Sequence, residues 1–453
     1  MNLIEIQKEN CSRSYACVRI CPVKAIQVNP EDEYPYVMHN RCIGCGNCLK
    51  VCPSSALTYH SSIEEAIGIL KSGEKVAAIV DPSISGEFSD ITDYRKFVEM
   101  IRGLGFSYVV EVSFGVDLVA KKYQALFSNF KGKYYITSTC PSVVSYIEKY
   151  YPELIGNLAP IVNPMVATAR VARQKYGDGL KIIYIGPCIS AKHDAKVLDE
   201  GKEVQSVLTF VELRKMFEMF NIKEANVEYS EFDPPLGNNG SLYPIARGLK
   251  QAAGITEDLL ESQVITISGK NNMIDGIGEF YNNTEFIKKH FNVFFDEGCL
   301  MGPGTSPLGK KILRRTLVVD YVNKRLKTLD KQNWESEMES FANIDLSRGF
   351  LNDDQRLEVP SDERIEEILK SIGKDIYSTS GCSSCGYRTC HDFAIAVSQG
   401  LTTTDMCQTH SLKSKQDYIK TLKTNNEKLK KQQSELLESE KNLKTENQKF
   451  KSQ

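Results

Sequence analysis

The sequence has little of several features that mark particular classes of protein. Lys and Arg total 56 against 58 Asp and Glu, a formal net charge of −2, so the chain lacks the basic excess of a nucleic-acid binder. It has no run of about 18 apolar residues, the length that a membrane-spanning helix needs. Its first residues, MNLIEIQKEN, lack the basic and then apolar segments of a secretion signal. We therefore expect a cytoplasmic protein with no membrane span and no nucleic-acid partner.

What the chain has in abundance is cysteine, with 14 residues in a length of 453. At about 100–200 residues per domain, that length predicts two to four domains. Thiols inside the cell stay reduced, so a disulfide framework is not expected. Clustered cysteines in this setting indicate metal ligands.

The cysteines and the local composition divide the sequence into four predicted parts. Residues 1–60 hold seven of the 14 cysteines in two similar half-repeats, each ending in Cys-Pro and a short hydrophobic stretch. Residues 61–345 alternate β-rich runs with helical patterns, which favours an α/β domain with a largely parallel, doubly wound sheet. Residues 346–410 contain a small cysteine-rich module, and residues 411–453 form a helical tail.

Six short runs rich in β-branched and aromatic residues predict the strands of the middle part. They are VAAIV 76–80, YVVEV 108–112, KYYIT 133–137, KIIYI 181–185, VITIS 264–268 and FNVFF 291–295. Later in the chain, Ser361 is predicted to cap a helix, DERIEEILKS, that ends at Gly373.

The tail, residues 411–453, contains no Gly, Pro or Cys and repeats every seven residues. One heptad position holds Leu422, Leu429, Leu436, Leu443 and Phe450. The position three residues earlier holds Ile419, Asn426, Gln433, Glu440 and Asn447. This spacing predicts a short coiled coil, and Asn at the earlier position favours two strands. The polar residues there leave a solvated single helix as the alternative, but we expect a homodimer or a helical partner protein.

Four closely spaced cysteines in the second half-repeat have the bacterial ferredoxin spacing, C-x2-C-x2-C-x3-C-P. In that arrangement three thiolates hold one cluster and the fourth reaches the neighbouring cluster. Applied to both half-repeats, this rule predicts two clusters. The first is held by Cys21, Cys42, Cys45 and Cys48, and the second by Cys11, Cys17 and Cys52.

The second cluster lacks one thiolate, because the corresponding place in the first half-repeat is Ser14. Three outcomes stay open: a [4Fe–4S] cluster with a serinate ligand, a [3Fe–4S] cluster, or a labile fourth iron. Oxygen is a harder ligand than sulfur, so it makes a cluster more difficult to reduce or easier to strip. Ser14 as a plain turn residue beside an empty site is the remaining alternative.

Three single cysteines, Cys140, Cys188 and Cys299, each follow an apolar strand pattern in the middle part. The carboxyl ends of strands form the ligand crevice of an open α/β sheet. Three thiols far apart in sequence are therefore expected to converge there. Taken singly, each thiol reads as an inert buried cysteine, but their shared placement favours a metal site.

The segments around these cysteines resemble a known family. VDPSISGEF, VSFGVDL, TSTCP, IGPCISAK and EGCLMGPG are similar to the hydrogen-activating domain of iron-only ([FeFe]) hydrogenases, and the order of modules resembles the sensory subclass. The resemblance implies a two-lobed α/β domain flanked by an α+β ferredoxin-like module and a second iron–sulfur module. It also implies that the three cysteines are cubane ligands, with Cys299 bridging to a two-iron subsite.

Several departures from the family pattern bear on catalysis. The fourth cubane cysteine is missing, and Asp296 is the candidate oxygen ligand in its neighbourhood. The proton-shuttling cysteine of the family is replaced by Thr139. The lysine that binds a cyanide of the two-iron subsite is replaced by Ala191, with Lys192 one residue later, and a glutamate of the proton path is replaced near Lys122. Thr139 and Lys192 stay candidate cofactor-binding residues, but none of these side chains supplies the titrating group of an acid–base relay.

The last cysteine group has the spacing C-x2-C-x4-C-x16-C and resembles a small [4Fe–4S] domain of electron-transfer and corrinoid-linked proteins. Its members are Cys382, Cys385, Cys390 and Cys407. Gly381 and Gly386 allow the backbone to curl around a metal. A four-thiolate zinc knot is the alternative.

These features together predict three to four iron–sulfur clusters and a function in electron relay or in redox or H2 sensing, with reduced or no hydrogen turnover. The expected redox partner is a ferredoxin-like protein. A slow but functional hydrogenase and an iron–sulfur assembly factor are the alternatives, so enzyme activity is left open.

Overall fold

The computed structural model describes residues 2–28, 31, 33–197, 201–307, 309–375 and 381–451. The chain forms two compact units, Met1–Arg356 and Leu357–Gln453. Within the described ranges, every helix is too short or too polar to span a lipid bilayer.

The N-terminal module is built from two copies of one strand–helix–strand pattern. Its elements are β1 (Ile4–Ile6), α1 (Ala16–Ile20), β2 (Ile26–Val28), β3 (Pro35–Val37), α2 (Asn47–Val51) and β4 (Leu57–Tyr59). β1 pairs antiparallel with β4, and β2 pairs antiparallel with β3. The duplication that the sequence predicts is thus present in the backbone.

A four-stranded parallel sheet forms the first lobe of the middle domain. Its elements are α3 (Ile63–Leu70), β5 (Val76–Val80), α4 (Ile84–Glu87), α5 (Tyr94–Gly103), β6 (Tyr108–Glu111), α6 (Ser113–Ser128), α7 (Pro141–Tyr150), α8 (Pro164–Tyr176), β7 (Lys181–Gly186), α9 (Ser190–Val197), β8 (Ser206–Thr209) and α10 (Phe210–Met219). The strand order is β6-β5-β7-β8. All five residues of β5 are buried, because helices cover both faces of the sheet. Such continuous apolar strands are typical of doubly wound folds.

The second lobe contains a two-stranded parallel sheet. The elements from here to the end of the middle domain are α11 (Gly248–Ala252), β9 (Val264–Ser268), α12 (Lys270–Ile287), β10 (His290–Phe294), α13 (Lys311–Thr328) and α14 (Lys331–Ser340). β9 and β10 pair along their whole length. The predicted two-lobed α/β architecture is confirmed.

The strand predicted at 133–137 is wrong, because only Ile136 makes bridges there, to Leu158 and to Phe291. Its backbone N–H donates to the Asn157 carbonyl at 2.8 Å, while the neighbouring Thr137 N–H donates to the Phe291 carbonyl at 2.8 Å. The segment is extended, but it divides its hydrogen bonds between two neighbours. The structure also contains β8, a four-residue strand that the sequence pattern did not reveal.

The second unit contains three helices, α15 (Asp362–Ser371), α16 (Cys390–Ser398) and α17 (Gln408–Phe450). The predicted start and end of α15 are confirmed: Ser361 Oγ accepts a hydrogen bond from the Arg364 N–H, and Gly373 has a φ of 71°. α17 is 43 residues long. The leucines Leu422, Leu429, Leu436 and Leu443 are exposed along it, and the side chain of Phe450 lies outside the described part. The coiled coil stays a prediction.

His290, at the start of β10, predicts a pH dependence of stability. Its side chain is 2% exposed, Nδ1 accepts a hydrogen bond from the Tyr135 N–H at 2.9 Å, and burial lowers its pKa from 6.5 to about 4. Between those values the unfolded chain binds a proton that the folded chain excludes, so stability falls as the pH falls. We expect the urea midpoint to drop between about pH 7 and about pH 5. We expect a smaller drop in His290→Asn, whose amide oxygen can accept the same bond. Equal drops in both proteins would contradict this account.

Candidate metal centres

The two half-repeats of the N-terminal module place their ligands on equivalent backbone. Cys45 lies between Gly44 and Gly46, with φ of 67° and 69°, and Ser14 lies between Arg13 and Tyr15, with φ of 53° and 54°. L-residues rarely adopt positive φ, so two non-glycine residues there indicate a backbone held in a required shape. Ser14 therefore occupies the position that a cysteine occupies in the other half.

The first predicted set of thiols lines one cavity of this module. Its members are Cys21, Cys42, Cys45 and Cys48. Burial raises the pKa of Cys42 to about 11. It also raises the pKa values of Cys45 and Cys48 well above their ordinary value, and the charge of Cys21 adds to this increase. Four convergent thiolates are thus unfavourable without a cation, and iron supplies the compensating charge.

The second predicted set is close together as well. Burial raises the pKa of Cys17 to about 11, and the charges of Cys11 and Cys52 add to this increase. The Ser14 side chain is exposed, and its carbonyl accepts a hydrogen bond from Arg19 Nη1 at 2.8 Å. The three thiols fit a cluster with one exposed, oxygen-bearing corner.

The three single cysteines of the middle domain converge on one cavity. Cys140 caps the start of α7, with Pro141 at the first helical position, Cys188 follows β7, and Cys299 follows β10. Burial and then the Cys188 charge raise the pKa of Cys140 to about 12. Burial also raises the pKa of Cys299 well above its ordinary value. The donor set fits a cubane held by three thiolates.

The loop that carries Cys299 is fixed by a buried arginine of α13. Arg314 Nη1 donates to the Leu300 carbonyl at 3.0 Å and to Thr305 Oγ1 at 2.8 Å. Its Nη2 donates to Glu87 Oε2 at 2.5 Å, and both partners are nearly fully buried. A buried ion pair with this many additional hydrogen bonds offsets its desolvation cost and positions the loop.

The N-terminal module packs directly against the cysteine loops of the middle domain. A Cβ at Gly46 would lie 2.4 Å from Pro303 Cβ, and a Cβ at Gly44 would lie 3.0 Å from Ser190 Cβ. Positive φ and close approach therefore both require glycine at these two positions. Cys45, between them, lines the first N-terminal cavity and the middle cavity alike.

Thr139 and Asp296, two of the residues singled out in the sequence, line the middle cavity. Thr139 is 2% exposed, and its Oγ1 has no hydrogen-bond partner among the described residues. Asp296 Oδ1 lies 3.1 Å from Lys50 Nζ. Both side chains are thus placed for contact with a group bound in the cavity.

Lys192 lies elsewhere, in a buried network behind the cavity. Its Nζ is 2.9 Å from Glu212 Oε2, 2.7 Å from Ser62 Oγ and 2.8 Å from the Val207 carbonyl. The preceding residue, Ala191, lines the cavity instead. The structure therefore places Lys192 away from the position expected of a cofactor-binding lysine, because one step along α9 turns the side chain toward β8 and α10.

Two cavity residues escaped the sequence analysis, Asp81 after β5 and Tyr184 on β7. The Tyr184 hydroxyl donates to Asp81 Oδ2 at 3.0 Å, and the Ser83 N–H donates to Asp81 Oδ1 at 2.9 Å. A Cβ at Gly186 would lie 2.3 Å from the Tyr184 hydroxyl. The motif VDPSIS and the strand KIIYI contain these residues, but only the pairing of β5 with β7 brings them together.

The helix segment of the expected proton path is altered. Lys121 and Lys122 on α6 are exposed, whereas the next residue, Tyr123, is fully buried. Its hydroxyl lies 3.0 Å from Ser138 Oγ and accepts from the Ser138 N–H at 2.9 Å. Ser138 Oγ in turn donates to the Ile161 carbonyl at 2.7 Å. These hydroxyls form fixed hydrogen bonds and offer no group that titrates near neutral pH.

The four cysteines of the second unit, Cys382, Cys385, Cys390 and Cys407, line a single cavity. Cys390 begins α16, which Thr389 caps with a capping box to Asp392. Cys407 caps the start of α17. A ligand of this site is therefore continuous with the long helix.

The spacing of these thiols bears on the zinc alternative. A single Zn²⁺ requires four sulfurs at about 2.3 Å from one point. Among the described residues, no three His, Cys, Asp or Glu side chains are grouped closely enough to hold one metal ion. The described residues therefore hold no preformed site for a single zinc ion.

Comparison with known families agrees with this geometry. The model for the C-terminal domain of the iron-only hydrogenase large subunit matches residues 74–293. A 4Fe-4S dicluster model matches residues 9–62, and an Fe-S cluster model matches residues 380–408. These matches support an iron-only hydrogenase-like family for the chain, with the hydrogenase model covering just under half of its length. The chain is a hydrogenase-like iron–sulfur protein with a dicluster ferredoxin module.

Curated relatives show partial similarity to this hydrogenase-like chain. The NADP-reducing hydrogenase subunit HndD of Solidesulfovibrio fructosivorans is 25% identical over 254 residues, which are 50% of this chain and 42% of the relative. Iron hydrogenase 1 of Clostridium pasteurianum is 28% identical over 227 residues, 44% of this chain and 40% of the relative. The cytosolic Fe-S cluster assembly factor NAR1 of Kluyveromyces lactis is 23% identical over 297 residues, 57% and 63%. The matched region spans less than two thirds of each relative.

Solved structures share the fold. An [FeFe]-hydrogenase structure from work on oxygen inactivation superposes with a TM-score of 0.52 at 17% identity, covering 65% of this chain and 100% of the other. An apo [FeFe]-hydrogenase from Chlamydomonas reinhardtii gives 0.50 at 17% identity, with the same coverage.

The Ser14 site yields a direct test. Because Ser14 has the backbone position of a ligand, Ser14→Cys is expected to complete a four-thiolate set. It should raise the retained iron by about one atom per chain and remove any [3Fe–4S] signal from the EPR spectrum. Ser12→Cys, in the same exposed loop but out of register, is the matched control. Identical iron contents in the wild type and Ser14→Cys would refute Ser14 as an incomplete corner.

Proposed function

We propose that the protein relays electrons between iron–sulfur clusters and senses redox state or H2, with little or no hydrogen turnover. Bound clusters supply one-electron redox chemistry. The observation that carries the proposal is the position of Cys45, which lines both the N-terminal cavity and the middle cavity. The two sites therefore share one residue, which supports electron transfer between them.

The surroundings of the middle cavity argue against fast proton chemistry. Rapid hydrogen turnover needs groups that titrate near the working pH. Thr139 offers a hydroxyl, Ala191 offers a methyl group, and Tyr123 is held by Ser138 in fixed hydrogen bonds. Two carboxyls line the cavity among the described residues. Asp81 already accepts from Tyr184 and Ser83, and Asp296 is paired with Lys50.

A slow hydrogenase is the second candidate, because the middle cavity extends beyond the three cysteines. Met165, Asn163 and Tyr243 line it together with Thr139. Residues that fit a cubane are present, but the ammonium expected to bind a cyanide of a two-iron subsite is not in the cavity, since Lys192 is bonded to Glu212. The donor set therefore fits the cubane better than the two-iron subsite.

The proposal extends to location and partners. Fourteen cysteines assigned as iron ligands suit a reducing compartment, so we propose a cytoplasmic location. A ferredoxin-like protein is the proposed electron partner. The continuity of Cys407 with α17 supports coupling of the last cluster to a helical partner or a second copy.

Infrared spectroscopy tests the function. We expect anaerobically matured protein to show no CO or cyanide bands and to oxidise H2 at background rates with a viologen dye, because the cavity lacks the groups described above. The double variant Thr139→Cys with Ala191→Lys tests whether the side chains at these two positions are the reason that CO and cyanide bands are absent. Bands that shift under H2 without dye reduction would favour H2 sensing over redox sensing, and bands accompanied by dye reduction would favour the slow hydrogenase.

The helical tail has its own test. The exposed fractions of Leu429 and Leu436 are 60% and 70%, and burial of such leucines between two helices stabilises a coiled coil. We expect the wild type to sediment as a dimer, and Leu429→Lys with Leu436→Lys to sediment as a monomer. Leu437→Lys, the same change outside the heptad seam, should weaken the dimer less. A wild type that stays monomeric at high concentration would exclude this dimer.

A further inference from the structure

The middle cluster site has three thiols, whereas a cubane has four iron corners. Asp296 lines the same cavity as Cys140, Cys188 and Cys299. Its charge contributes to the raised pKa of each of these thiols, after the effect of burial. The carboxylate is therefore within electrostatic reach of all three ligands.

The residues on either side of Asp296 are weaker candidates for the fourth ligand. Phe295 is apolar and 2% exposed, and its backbone N–H hydrogen-bonds the Cys140 thiol. Glu297 points to other partners, with Oε2 at 2.9 Å from Lys311 Nζ and 3.3 Å from Ser268 Oγ. Of these three residues, Asp296 has the side-chain oxygens at the cavity.

The backbone of Asp296 is held firmly. Its carbonyl accepts from the Gly269 N–H at 3.1 Å and from the Gly298 N–H at 2.9 Å. Gly298 has a φ of 71°, and a Cβ there would lie 2.2 Å from the Pro244 carbonyl oxygen. The loop therefore fixes the Cα position from which the carboxylate extends.

Lys50 of the N-terminal module binds one oxygen of the carboxylate. Its Nζ donates to Asp296 Oδ1 at 3.1 Å and to the Met301 carbonyl at 2.7 Å. Lys50 lies on α2, between Cys48 and Cys52. In the described part of the chain, Lys50 is the side-chain donor to Asp296, and it binds Oδ1, which leaves Oδ2 for a metal.

We propose that Asp296 is the fourth ligand of the middle cluster, binding iron through Oδ2, and that Lys50 positions this carboxylate through Oδ1. The proposal rests on the cubane of the proposed function and adds its fourth ligand. Lys50 also places a positive charge beside the middle cluster. It lies on α2, between the N-terminal ligands Cys48 and Cys52. A carboxylate is a harder ligand than a thiolate and lowers the affinity for the fourth iron, while the ammonium partly offsets the added negative charge.

Substitution of Asp296 in the full chain tests the ligand. Asp296→Ala should lose about one iron per chain and gain a [3Fe–4S] EPR signal of about one spin relative to the wild type. Asp296→Cys should keep all its iron, with a four-thiolate spectrum. Glu297→Gln, the adjacent carboxylate bound to Lys311, is the matched control and should behave as the wild type. Circular dichroism verifies that each variant is folded.

The opposite outcome is equally clear. If folded Asp296→Ala retains the iron content and EPR spectrum of the wild type, Asp296 is not a ligand. That result leaves the proposed function intact, because hydrogen turnover and infrared bands are measured separately. Absence of any middle-cluster signal in the wild type and in Asp296→Cys would instead remove the cubane, and with it the proposed function.

The role of Lys50 is tested by reduction potential. Loss of the ammonium in Lys50→Met makes addition of an electron less favourable, so the potential of the middle cluster should shift to a lower value. Lys50→Arg keeps the charge and should restore the wild-type value. An unchanged potential in Lys50→Met would show that Lys50 does not act on the cluster.

Discussion

The cost of burying thiolates is the constraint on which the other features depend. Burial raises the pKa of Cys140 to about 12 and raises that of Cys299 well above its ordinary value, and neighbouring thiols add to each increase. Three or four such groups in one cavity are unfavourable as anions unless a cation offsets them. Iron meets this requirement, so cluster binding and folding are expected to be coupled in each module.

The fold answers this constraint by bringing loop ends together. Cys188 and Cys299 follow strands of different lobes, and Cys140 begins a helix, so the middle site forms only when the two lobes pack. The buried ion pair between Arg314 and Glu87 holds the Cys299 loop in place. The N-terminal module also packs against the middle domain, because Gly44 and Gly46 allow its cluster loop to approach within van der Waals distance.

A large part of this arrangement can be predicted from the sequence. That part consists of the residues whose placement follows from a local sequence pattern. The ferredoxin spacing predicts the grouping of Cys21 with Cys42, Cys45 and Cys48, and five of six predicted strands are present. Lys192 and the Tyr184–Asp81 pair were not predictable in the same way. The position of Lys192 depends on Glu212, twenty residues away, and the pair depends on the register of β5 with β7, neither of which has a local signature.

Electron transfer and proton transfer place different demands on a site. Electron transfer requires only that clusters lie close together, and the presence of Cys45 at both the N-terminal and the middle cavity favours this. Proton transfer requires a chain of groups that can both accept and release protons. In this protein the hydroxyls of Tyr123 and Ser138 are fixed by backbone partners, and Asp81 is saturated by Tyr184 and Ser83. The residues that would support proton transfer are thus bound to other groups. This asymmetry supports the proposed electron relay over hydrogen turnover.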